Sequence, residues 1–123
     1  MNIVLSHTDS DIPEALRDKD VAKAFYGLSV ESLSGKIQDS VIRKEISTQT
    51  ALHIDKLIQQ AVLDNGKAII DWQYKTNITG KLQIEIGDYL IDEVRDKYKI
   101  DLSFGEIDDI ANKCIEVAKI RYK

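Results

Sequence analysis

The sequence predicts an all-α protein: a single compact bundle of five or six helices spanning residues 1–123. Helix breakers are scarce, with one Pro and six Gly in the chain, and each is costly inside a helix. Apolar residues recur at three-four spacing in several separate stretches, the signature of helices with one buried face. Helix-start signals precede most of those stretches.

In chain order, Asp11-Ile12-Pro13-Glu14 reads as the first start. Ser10 or Asp11 can accept from the free N–H groups of a first turn, and Pro13 has no N–H to leave unpaired. Asp18-Lys19-Asp20 reads as a second cap, and Val21, Ala24, Phe25 and Leu28 set the stripe of a helix from Val21 to about Leu33. Gly35 ends it. Ile37, Val41, Ile42 and Ile46, then Leu52, Leu57, Ile58, Ala61 and Val62, continue helical spacing as one bent helix or two, with Ser47-Thr48-Gln49-Thr50 as the natural break. Asn65-Gly66 closes this region, because both residues tolerate the left-handed conformation.

Lys67–Ile70 is then a short extended connector, and Asp71 is placed to cap the next helix, beside Trp72, the only Trp. Leu82-Gln83-Ile84-Glu85-Ile86 alternates like a strand. The ladder Ile78, Leu82, Ile86, Tyr89/Leu90, Val94 fits a helix over a longer span, so helix is preferred. Gly80 and Gly87, about two turns apart, share a face and leave a smooth strip that a neighbouring helix can approach. Ser103-Phe104-Gly105-Glu106 is a capping box. Ile107, Ile110, Ala111, Cys114, Val117 and Ala118 form one face of the last helix, with Lys119, Arg121 and Lys123 at its negative end.

The net charge of −4 opposes a duplex-binding module, whose affinity comes from neutralising phosphates. Residues 1–20 are acidic (Asp9, Asp11, Glu14, Asp18 and Asp20 against Arg17 and Lys19), which reads as a solvated face. A single Cys leaves no internal disulfide and suits a reducing compartment. With no signal-peptide pattern and no apolar run of membrane-spanning length, the expected location is cytoplasmic.

No motif demands a chemistry. Gly35-Lys36 and Gly80-Lys81 lack the upstream Gly and following hydroxyl of a phosphate loop. His7 and His53 have no partner at metal-ligand spacing, and Cys114 sits on an apolar face as an inert thiol. Asp88, Asp92, Glu93 and Asp96 put carboxylates along one helix, which is most simply an exposed acidic face. Trp72 is a core anchor rather than a base-stacking platform, since no basic groove surrounds it.

The order of motifs resembles a known family. Asp11-Ile12-Pro13-Glu14-Ala15-Leu16, Val21-Ala22-Lys23-Ala24-Phe25-Tyr26-Gly27, an amphipathic helix, and Ile70-Asp71-Trp72 ahead of Ile78, Gly80, Leu82, Ile86 and Leu90 are similar to the C-terminal helical domain of the R (restriction, or motor) subunit of type I restriction-modification enzymes. The likeness covers about residues 11–118. It departs at Tyr98-Lys99-Ile100-Asp101-Leu102, where the family tends to carry Tyr-Pro-Pro-Asp, and between Lys75 and Arg95, where the family has more Arg.

The resemblance implies a non-catalytic assembly domain that docks an ATP-dependent DNA translocase and nuclease on its methyltransferase core. Its partners would be the methyltransferase and specificity subunits, with DNA reached only through the full complex and no membrane involved. ATP and Mg would belong to the parent polypeptide, an ATP-dependent type I site-specific deoxyribonuclease, and not to this domain. Asp11, Glu14, Arg17 and Tyr26 are the expected docking residues, and Asp71 and Trp72 mark the structural junction. The competing expectations are a stand-alone helical regulator or antitoxin-like homodimer and, third, a direct nucleic-acid binder.

Overall fold

The computed structural model describes Leu16, Arg17 and residues 19–122. The expected first helix around Pro13, with Asp11 and Glu14, lies outside the described residues, as does His7. Among the described residues the chain forms four α-helices: α1 (Asp20–Leu33), α2 (Ser40–Val62), α3 (Thr76–Tyr89) and α4 (Phe104–Arg121). A two-residue antiparallel pair, β1 (Leu63–Asp64) with β2 (Lys67–Ala68), and a 3-10 turn at Trp72–Tyr74 lie between α2 and α3. A π-helical segment, Leu90–Asp96, extends α3.

The helices close a ring in which α1 packs on α2, α2 on α3, α3 on α4, and α4 back on α1. Phe25, Ile54, Ile58, Leu82, Ile86, Ile107 and Cys114 fill its centre, none of them more than 2% exposed. The chain is therefore mostly helical, as expected, but with fewer helices than the five or six expected.

Part of that difference lies in α2, which is one unbroken helix. Asp39 caps it, its carboxylate accepting from the N–H groups of Val41 (2.9 Å) and Ile42 (3.2 Å). The expected break at Ser47-Thr48-Gln49-Thr50 does not occur, because Ser47 and Thr50 are buried in the face that meets the rest of the ring. That face runs Ile46, Ser47, Thr50, Ala51, Ile54, Asp55, Ile58, Val62. Val41 and Ile42, expected on the stripe, are exposed instead.

Asn65-Gly66 ends α2 only indirectly. Both residues have positive φ (53° and 81°) and form the two-residue turn between β1 and β2, pairing Leu63 with Ala68. Positive φ at both central positions is what a tight hairpin needs to match strand twist. The expected connector is thus a miniature hairpin.

Asp71 does not cap the long helix. It has φ 58° and makes no side-chain cap bond; its carbonyl accepts from the N–H of Tyr74 at 3.0 Å, closing the 3-10 turn. The helix begins one turn later, after Lys75, again without a side-chain cap.

The helical reading of Leu82–Ile86 holds, and the ladder is Leu82, Ile86, Leu90, Val94, all buried. Its steps of four residues overshoot an α-helical turn by roughly 40° each. A π turn takes more residues per turn, so the Leu90–Asp96 segment turns the ladder back toward the core. In α4, Ser103 and Glu106 form the reciprocal capping box, at 3.1 and 3.0 Å.

Candidate functional site

Three places gather polar or unpartnered groups. The first ties three elements together behind Trp72. The indole is fully buried, and its Nε1–H donates to the carbonyl of Tyr122 at 2.6 Å. The Tyr122 hydroxyl donates to one oxygen of Asp55 on α2, and the other oxygen accepts from Gln59 Nε2 at 2.9 Å. Burial, then the Asp55 carboxylate, push the Tyr122 phenol above its ordinary pKa.

Asp55 is 7% exposed. A carboxylate that deep is costly unless hydrogen-bonded, and here both oxygens are. Each donor serves the native geometry of α2, the 3-10 turn and the end of α4. This is a structural clasp, and it gives Trp72 the anchoring role expected of it. Sequence reasoning passes over Asp55, Gln59 and Tyr122. The available signal is Asp55 itself, spaced with Ala51, Ile58 and Val62 as a polar residue inside an apolar stripe.

The second place is a cleft of about 510 Å³ between α2 and the α3 extension. His53 stacks on Tyr89, ring centroids 4.1 Å apart at 15°. Burial against its neighbours, with Lys56 assisting, lowers the His53 pKa. Both signs of charge line the cleft: Glu45 and Glu93 face Lys56 and Lys97, and Lys97 pairs with Glu93 at 3.8 Å. These groups largely satisfy one another, and the His53 ring is spent on Tyr89. The Thr50 hydroxyl, buried near the Tyr89 phenol, meets no partner in hydrogen-bond geometry.

The third place is a groove of about 310 Å³ between the outer face of α3 and the start of α4. Gly80 and Gly87 form part of its lining. A Cβ on Gly80 would meet nothing within 4 Å, and one on Gly87 only Ile107 Cγ2 at 3.8 Å. The strip read from the sequence is therefore a real depression, and α4 comes near only at Gly87. Ile84 and Phe104, each 66% exposed, project beside it. Arg95 holds its guanidinium 5.1 Å above the Phe104 ring, a cation–π contact that favours one orientation. The charged lining residues are Asp88 and Asp108.

The expected docking residues are not gathered into one place. Arg17 is exposed, whereas Tyr26 is half-buried against the core with its own interactions. Asp71 is exposed at the turn ahead of α3. Cys114 is buried, which pushes its thiol up to about 12. Among the described residues no group of three or more His, Cys, Asp or Glu is arranged to hold a metal ion, and no helix is long and apolar enough to cross a membrane. Asp88, Asp92, Glu93 and Asp96 remain exposed acids along α3 and its extension.

No family model, no curated protein and no solved structure matches the chain.

Proposed function

We propose that the chain is a non-catalytic helical assembly domain, of the kind found at the C-terminus of type I restriction-enzyme R subunits. In that role it docks an ATP-dependent DNA translocase and nuclease on a methyltransferase core, in the cytoplasm. The resemblance carried by Ile70-Asp71-Trp72 and the ladder after it supplies the family. One structural observation supports the docking role: an apolar groove beside α3, with Ile84 and Phe104 left open to solvent. Exposed large apolar side chains around a depression are a common mark of an interaction surface.

ATP and Mg would be handled elsewhere in the parent enzyme. The acidic balance of the chain fits contact with DNA only through the assembled complex. Co-purification with the methyltransferase and specificity subunits of a cognate system tests the reading. A stable complex at micromolar concentration is expected, and its absence overturns the proposal. A stand-alone homodimeric regulator would instead sediment as a dimer and ignore the methyltransferase core.

A further inference from the structure

We infer that the groove between α3 and the start of α4 seats a helix of a partner protein whose apolar stripe is flanked by Lys or Arg. The inference deepens the assembly reading and rests on it for the partner's being a protein of the same complex; the chemistry of the groove stands by itself.

The geometry suits a helix. Gly80 and Gly87 lie about two turns apart on one face, so a second backbone can come close where no side chain stands in the way. Ile84 lies between them on α3, and Phe104 faces it from α4, both with most of their surface in water. An incoming row of Leu or Ile side chains at three-four spacing would cover both.

Charge selects the flanks. The charged groups lining the groove are the carboxylates of Asp88 and Asp108, with no Lys or Arg among its lining residues. The α2–α3 cleft differs, holding both signs already paired with each other. Basic flanks on the visiting helix would therefore meet unopposed acid, which raises the encounter rate and rejects acidic competitors. The same rim argues against other occupants. In a two-fold pairing of copies this patch would meet itself, acid against acid. The chain's own N-terminal stretch carries Asp9, Asp11 and Glu14, again the wrong sign. An anionic bilayer or a nucleic acid would be repelled likewise.

The test uses a fluorescein-labelled Leu/Lys amphipathic helix of roughly five turns, and a twin with every Lys replaced by Glu, titrated against the full chain by anisotropy. The Leu/Lys peptide is expected to saturate below ~100 µM and its Leu/Glu twin to bind at least roughly tenfold more weakly. Ile84→Glu and Gly80→Leu, both at solvent-open positions, should each weaken the Leu/Lys peptide about tenfold. Ile120→Glu, outside the groove, should leave it unchanged. Asp88→Lys combined with Asp108→Lys should reverse the preference between the two peptides. Circular dichroism verifies that each variant remains folded.

Absence of saturation, indifference to Ile84→Glu, or an unchanged preference in the Asp88/Asp108 variant overturns the inference. So does a dimer of the chain that Ile84→Glu dissolves, which would make a second copy the occupant. If the methyltransferase core binds wild-type and Ile84→Glu chains equally, the groove inference fails while the assembly reading survives. Peptide binding without core binding upholds the groove and overturns the assembly reading.

Discussion

At the scale of single residues, the most consequential interactions sit where polar groups have been buried. Asp55 keeps its charge deep in the protein because Tyr122 and Gln59 donate to it. Tyr122→Phe removes one donor and leaves the carboxylate short of a partner, which should cost about 1–3 kcal/mol; urea denaturation followed by Trp72 fluorescence measures it. Ser47 is the opposite case. Its hydroxyl is buried with no hydrogen-bond partner, so its desolvation brings no return. Ser47→Ala should leave stability unchanged or raise it by up to about 1 kcal/mol, in the same titration. A marked loss there would mean that the hydroxyl is bonded in solution.

At the scale of elements, local rules decide where the chain turns, and they can be tested locally. Gly66 has φ 81° in the hairpin turn, where an L side chain is strained. Gly66→Ala should destabilise by about 1 kcal/mol, read as a lower denaturation midpoint with unchanged slope. At the start of α4, Lys36 pairs with Glu106 at 2.8 Å, and with the Ser103 N–H it holds the Glu106 carboxyl down at about 2. A depressed carboxyl stabilises the fold above its unfolded value and loses that contribution as pH falls toward the folded one. The melting temperature should therefore decline between about pH 4.5 and 2, more steeply in the wild type than in Glu106→Gln.

The capping box, the α3 ladder and the buried Trp72 are all legible in the sequence, because each depends on neighbours within a turn or two or on an extreme residue type. The continuity of α2 is not legible. Ser47 and Thr50 resemble a break when read alone, and only the packing of α2 against the ring decides that they are buried small residues. The hairpin is within reach, since Asn-Gly is the common two-residue turn, but the same pair also ends helices. Asp71 misleads for a related reason: its side chain is of a good capping type, while its backbone is left-handed.

At the scale of the whole molecule, four helices closed in a ring leave the outer side of α3 as the place where a neighbour can fit most closely. The clasp reaches across the ring, linking α2 to the end of α4 through side chains. The docking candidates that the sequence suggests rest on charge and position near the N-terminus; the groove depends on Phe104 coming beside Ile84, a pairing twenty residues apart that no local pattern reports. With a net charge of −4, the isolated chain should show no micromolar affinity for duplex DNA at moderate salt. Filter binding checks this, and tight binding with a steep salt slope would refute the charge argument.

The π segment of α3 makes that helix sensitive to its length more than to its composition. Exposed positions within it, such as Asp92 and Glu93, should accept many residue types. Deleting either one would let the backbone relax into ordinary α-helix with its hydrogen bonds intact. Yet every residue beyond the deletion would swing by roughly 100° about the axis, carrying Val94 out of the core and Arg95 away from Phe104. Among homologous chains, this segment should tolerate substitution freely and insertions or deletions hardly at all.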